Sequence, residues 1–258
     1  RLVGSEMCIR DRAQGIAAAG EAELYFFSDA DIVHEPGHLV TLVARAERGD
    51  LDLVSEMVAL RCASLAERAL VPAFVYFFQL LYPFEHVNDP LWETAAAAGG
   101  TVLIRRRALE RIGGIASMRG SLIDDVALAR AVKRGGKIWL GHSTLARSLR
   151  GYPRFGDIWR MIARTAFTQL RYSWVLLGLT VLGMLLVFIG PVWFLILGHG
   201  VARLFGLAAW LGMAASFWPS VRRYGLGWGW TVSLPLVAMF YVAATMGSAL
   251  MHARGVGV

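Results

Sequence analysis

Polar and apolar residues divide the chain into two unlike parts. Over the first two thirds, short apolar runs alternate with charged and small residues; from Trp174 onward charge nearly vanishes. Leu24-Tyr25-Phe26-Phe27 has the pattern of a strand buried on both faces, with Ser28 marking its end. Ahead of it, residues 13–22 are Ala-rich and permit helix, weakened by Gly15 and Gly20. Behind it, Leu39, Leu42, Val43 and Ala46 supply the apolar face of a helix over about 36–48, with Pro36 suited to its first turn. Residues 51–60 read as a second strand, its apolar run broken by Ser55 and Glu56. Residues 69–84 are nearly all apolar, interrupted by Pro72 and Pro83, and too short to span a membrane comfortably. They suit a core helix and an aromatic-rich segment at a membrane surface equally. Residues 95–100 (A-A-A-A-G-G) make a small-residue turn feeding a strand, and Arg105, Arg106 and Arg107 follow. A helix closing on Gly113-Gly114 comes next, then one opened by Asp124-Asp125 and ended by Gly135-Gly136, then a short strand over 137–140.

The last third changes character. Residues 155–172 are amphipathic, with Ile158, Met161, Ile162 and Thr165 on one face. Arg160, Arg164 and Arg171 share an arc of about 40° on the opposite side at helical spacing. Three uncharged or nearly uncharged stretches over 174–198, 201–219 and 231–251 then predict transmembrane helices. Arginines precede the first span, and Arg222-Arg223 lie between the second and third, so both sets are expected in the cytoplasm. Trp174, Trp218, Trp228 and Trp230 near the span ends suit an interfacial belt.

Composition refines this picture in three ways. Of 258 residues, 56% are hydrophobic, too many to place in one soluble core without the membrane portion. The formal net charge of +7 comes from Lys and Arg beside apolar segments, which points to membrane topology and anionic head groups and not to nucleic acid. Cys8 and Cys62 give no framework for disulfides or zinc. Residues 1–12 resemble translated sequencing-adapter sequence and are set aside as foreign, leaving an α/β portion over 13–154, a basic interfacial helix over 155–172 and a membrane region over 173–258.

Candidate chemistry gathers where strands end. Asp29 and Asp31 stand at i and i+2, so a continuing strand would point both the same way, toward the crevice where open α/β sheets bind ligands. Their oxygens suit a hard cation, Mg²⁺ or Mn²⁺, that also holds substrate phosphates; a loop pair capping the next helix is the plainer reading. Asp124 and Asp125 fit an N-cap and first turn, and equally a catalytic base facing that crevice. Gly99-Gly100 lets a backbone approach a ligand closely or simply turns. Arg160, Arg164 and Arg171 suit a diphosphate or lipid phosphates, or form a solvated basic face.

The order of these pieces resembles family 2 glycosyltransferases, most closely the hopanoid-biosynthesis-associated branch. The strings are S-D-A-D-I (28–32), L-V-A-R-A-E (42–47), P-A-F-V-Y-F-F-Q-L-L-Y-P-F (72–84), V-N-D-P (87–90), A-A-A-A-G-G (95–100), L-I-D-D (122–125), A-R-A-V-K-R-G-G (129–136), I-W-L-G (138–141) and R-T-A-F-T-Q-L (164–170). The resemblance implies a GT-A fold, here a partial α/β nucleotide-diphospho-sugar transferase domain ahead of about three transmembrane helices. It implies that Asp31, with Asp29, contacts the metal and the donor diphosphate. Asp125 would be the base that deprotonates the acceptor hydroxyl, and Gly99, Gly100 and Asp124 would border the acceptor. Arg164 would reach the donor. The Q-x-x-R-W motif of processive members is not intact: Arg164 and Gln169 are present without an R-W pair. Transfer of one sugar, with inversion, from a nucleotide sugar to a lipid at the bacterial inner membrane is therefore expected, the catalytic portion facing the cytoplasm. The family's first strands should precede Asp29, so the chain reads as an N-terminally truncated fragment with half a donor site, inactive by itself. Two other classes are weighed. A transporter or assembly subunit calls for ionisable residues inside the spans, and 174–198 and 231–251 have none. A nucleotidyl- or phosphotransferase calls for G-x-x-x-x-G-K-[ST], which the sequence lacks.

Overall fold

The computed structural model describes residues 4–118 and 124–255. The chain forms two compact units: one takes the residues up to Arg61 with Phe78–Gly151, the other Cys62–Phe77 with everything from Tyr152. Residues 62–77 fall inside the α/β portion expected over 13–154, but their contacts group them with the C-terminal helices.

In the α/β unit, helix α1 (Gly4–Ala19) leads into β1 (Leu24–Ser28), β2 (Ile32–His34), α2 (His38–Gly49) and β3 (Leu53–Ala59). Helix α3 (Leu65–Leu81) contributes its last turn, followed by α4 (Phe84–Asn88), β4 (Thr101–Arg105), α5 (Arg106–Arg111), α6 (Asp124–Lys133) and β5 (Ile138–Ser148). The described strands make one mixed sheet of order β1-β4-β3-β5-β2, in which only β3 and β5 run parallel. Strand β3 carries the core. Leu53 joins Ile104, Leu128, Val132 and Leu140 on one face, while Val54 joins Leu42, Ala46 and Leu103 on the other. That division is the period of two expected of a strand covered on both sides. On the Val54 face the Arg45 guanidinium lies 3.8 Å from the ring centre of Trp139.

Three local expectations change. Strand β1 lies at the sheet's edge, paired only with β4, and of its residues only Tyr25 is buried. Both faces of its apolar run are covered, Tyr25 and Phe27 by the Leu53 cluster and Leu24 and Phe26 by the Val54 cluster, but at the open edge Leu24, Phe26 and Phe27 are only half-buried. Helix α2 starts at His38, after a left-handed Gly37 (φ 84°), so Pro36 stands outside it. Strand β5 runs eleven residues where four were expected, because its main chain is bonded by β3 on one side and β2 on the other.

The helical unit begins with the greater part of α3. Its further helices are α7 (Phe155–Gln169), α8 (Trp174–Met184), α9 (Gly190–Leu197), α10 (Val201–Arg223) and α11 (Leu234–Ala253). A π-helical turn, Leu185–Ile189, joins α8 to α9, and a 3₁₀ segment, Trp228–Ser233, precedes α11. Among the described residues three stretches are long and apolar enough to cross a membrane: Trp174–Leu197, Val201–Arg223 and Trp228–Ala253. They cover the expected spans. Leu179, Leu186, Trp193, Ile196 and Phe205 are exposed on them, as lipid-facing residues would be, while Phe167, Phe217 and Leu234 fill the interior. At Gly206 a Cβ would come within 2.7 Å of Leu195 N and Pro191 O, so α10 meets α9 backbone to backbone.

Two further expectations are settled here. In residues 69–77 the core-helix reading holds: Leu70, Val71, Ala73 and Val75 are buried, Tyr241 donates to Leu70 O at 2.9 Å, and Phe77 packs against Phe188 and Tyr241. Phe78, Tyr82 and Phe84 instead join the α/β core. Arg171 does not continue the arginine row. It lies beyond the end of α7 with a left-handed backbone (φ 52°), while Arg160 is paired to Asp157 at 2.6 Å.

Candidate active site

The D-A-D segment is a turn. After Ser28 the chain leaves β1, the Ile32 amide bonds Asp29 O at 3.1 Å, and the chain re-enters the sheet as β2. The period-two argument therefore does not apply to Asp29 and Asp31, which are not extended. Asp31 is held by both its backbone and its side chain. Its carbonyl accepts from the Leu149 amide at 2.8 Å, and its carboxylate accepts from Ser148 Oγ at 3.0 Å. Ser148 faces Ile32 across the β2–β5 ladder, which brings it within reach. Asp29 is exposed and Asp31 half-buried.

Sheet register brings the glycine turn alongside. Ser28 pairs with Thr101, so the residues after β1 and those before β4 leave the sheet at the same end. Gly100 lies under Ile32 and Val58, where a Cβ would meet ordinary contacts of 3.4–3.5 Å. Gly99 has no such room: a Cβ there would run into the Asp125 carboxylate. Its glycine character answers to that close approach.

Asp125 stands in the first turn of α6, beside Gly99. Arg12, from α1, reaches the same carboxylate at 3.4 Å, and its guanidinium also lies 5.7 Å from the ring centre of Phe27. Asp125, Gly99, Gly100 and the D-A-D turn thus converge on one end of the sheet. The side chain of Asp124 lies outside the described residues. Arg164 is exposed on α7 and belongs to the helical unit.

Residues that the sequence did not single out hold this arrangement. Ser55, fully buried on β3, accepts from the Ala98 amide at 2.8 Å and lies 3.0 Å from Thr101 O, pinning the glycine turn from below. Lys133 closes α6 by donating to three carbonyls, His86 O, Val87 O and Thr94 O, at 2.7–2.8 Å. The helix that carries Asp125 is thereby fixed to the loop that leads to Gly99. Burial lowers the Lys133 pKa. Asn88 bonds both the amide and the carbonyl of Leu140, tying the V-N-D-P segment to β5. The described residues contain no group of three His, Cys, Asp or Glu side chains arranged to enclose a metal.

A carboxylate over a glycine turn, next to a turn bearing two more carboxylates, can accept a proton from a hydroxyl and can share oxygen ligands with a phosphate-bound cation. The model of glycosyl transferase family 21 matches residues 12–252, from the arginine that meets Asp125 to the last turn of α11. No curated protein matches the chain.

Proposed function

The chain belongs to glycosyl transferase family 21, and from that premise we propose that it moves one sugar, with inversion, from a nucleotide diphosphate to a lipid. The observation that carries this reading is the placement of Asp125 against Gly99 beside the D-A-D turn, in a chain with three helices fit to cross a membrane. Asp125 is the base that takes the acceptor's hydroxyl proton. Gly99, Gly100 and Asp124 border the acceptor, and Asp29, Asp31 and Arg164 serve the donor.

Mg²⁺ or Mn²⁺ suits the first two of these donor-side residues. Two carboxylates on one turn are the ligand set of a hard cation that keeps water and takes its remaining ligands from substrate phosphates. When bound, such a cation would offset charge on the leaving diphosphate. Asp31 offers a carboxylate already oriented by Ser148, and Asp29 an exposed one.

The motif resemblance to family 2, the GT-A architecture and a hopanoid as the acceptor belong to this proposal, as does the bacterial inner membrane. The catalytic portion and Arg222-Arg223 are placed on the cytoplasmic side. The test is a pair of substitutions in the active enzyme. Asp125→Asn should keep donor and cation affinity while kcat falls by roughly 10²–10⁴-fold, the usual worth of base catalysis. Asp124→Asn should leave kcat near normal. If the two results exchange, the base is Asp124; if neither lowers kcat, the proposed site is wrong.

A further inference from the structure

Beneath the D-A-D turn runs a chain of hydrogen bonds that the reading above does not use. Ser28 Oγ lies 2.7 Å from His34 Nε2, His34 Nδ1 lies 2.8 Å from His38 Nδ1, and His38 Nε2 lies 3.0 Å from Glu56 Oε2. The imidazole planes are 14° from parallel and their centres 5.0 Å apart. His38 and Glu56 are buried, His34 is half-buried and Ser28 is exposed, so the chain leads from the sheet interior to the start of the turn. Ser28 Oγ is also 3.2 Å from Asp29 O.

The direction of these bonds follows from counting hydrogens. An ionised Glu56 only accepts, so His38 carries hydrogen on Nε2 and, when neutral, a bare Nδ1. His34 must then donate from Nδ1, which leaves its own Nε2 bare. Ser28 has one hydrogen and gives it to His34, so Asp29 O receives none from it. Now add one proton to the histidine pair. On His34 it occupies Nε2 directly. On His38 it occupies Nδ1, which obliges His34 to accept there and to carry its hydrogen on Nε2. Both cases end alike: His34 Nε2–H donates to Ser28 Oγ, and the Ser28 hydrogen turns to Asp29 O.

We infer that Ser28, His34, His38 and Glu56 form a positioning relay in which one proton on the histidine pair turns the Ser28 hydroxyl onto Asp29 O, fixing the first residue of the D-A-D turn. The relay stands on its own geometry; its consequence for catalysis rests on the reading of Asp29 and Asp31 as donor-side residues. The groups facing it are Glu56 from β3, Ser143 from β5 at 3.4 Å from His38 Nε2, Phe26 edge-on from β1, and the Glu35–Arg147 ion pair flanking β2. Burial first, and His38 second, hold the His34 pKa below its usual 6.5, so His34 itself is uncharged at neutral pH.

The test is a pH titration of the full chain in phospholipid nanodiscs, with ¹⁵N-histidine and ¹³C-aspartate labels. At neutral pH His34 should show Nδ1–H with a bare Nε2, and His38 the reverse. On acidification His34 Nε2 should gain hydrogen, and the Asp29 carbonyl carbon should shift with the same midpoint. In Ser28→Ala, an exposed position that leaves the core untouched, His34 should still titrate while the Asp29 response is lost. An Asp29 response that survives in Ser28→Ala, or His34 with Nε2–H already at neutral pH, overturns the relay. Added Mn²⁺ in the same samples separates the two claims: failure to broaden Asp29 and Asp31 sinks the donor-site reading and leaves the relay standing.

Discussion

In the α/β unit Ser55, Lys133 and Asn88 each hydrogen-bond a loop or strand segment, whereas in the helical unit Glu67 and Ser248 join helices. Glu67 pairs with Ser64 in a reciprocal cap at the start of α3 and also accepts from the Tyr152 amide just ahead of α7. Ser248, on α11, donates to Ala163 O and accepts from the Phe167 amide. The difference follows from what each unit must build. A sheet's strands are already bonded to one another, so its spare polar side chains shape the loops that end in the site. Helices satisfy their own backbones, and the few polar groups among them fasten one helix to the next.

If that division holds, changes in the first unit should cost rate and changes in the second should cost stability. Among changes that leave the Asp125 carboxylate itself intact, the largest effect should come from Gly99→Ala. Its Cβ must push the Asp125 carboxylate aside, and a displacement of about 1 Å is worth about 10²-fold in kcat. The melting midpoint should move little; a large drop in it with kcat intact would break the comparison. Next, Glu67→Gln should leave kcat unchanged and destabilise the chain by about 1–3 kcal/mol, the worth of hydrogen bonds to a charged acceptor. Burial alone would raise the Glu67 pKa, but the amides of Ser64, Tyr152 and Ala63 and the Ser64 hydroxyl together bring it below its usual 4.5. A lowered folded pKa stabilises above that usual value and is lost as pH falls through the folded one. Thermal melts of wild type and Glu67→Gln should therefore differ at pH 7 and converge below pH 4.5. The smallest effect should be Ser248→Ala, about 0.6 kcal/mol and at most about 2, as for other hydrogen bonds between membrane helices. Steady-state kinetics should not register it.

How much of this the sequence displayed depends on the range of the interaction. The spans, α6 and the glycine turn are written in runs and spacings of neighbouring residues, and each lies where its pattern put it. The resemblance assigned Asp125 and Gly99 to the acceptor side, but their close approach was not legible in the sequence. The edge position of β1 did not show, because four apolar residues covered on both faces look the same at a sheet's edge as at its centre. Strand β5 was cut short because Gly141, His142, Ser143 and Thr144 break its apolar run while its main-chain bonding continues. Ser55 registered only as an interruption, and Arg12 was set aside with the residues before it. Their partners stand 43 and 113 residues away, a separation at which no periodicity carries a signal.

The backbone contact at Gly206 bears on how the protein is made. Helices α9 and α10 are joined by three residues, His199 with Gly198 and Gly200, and touch where any side chain would hold them apart. Two arms that close and so tightly coupled have little to gain from entering the bilayer one after the other, since each offers the other the surface it fits best. They should partition from the translocation machinery together, as a finished hairpin, and a residue as small as alanine at position 206 should be felt first during synthesis.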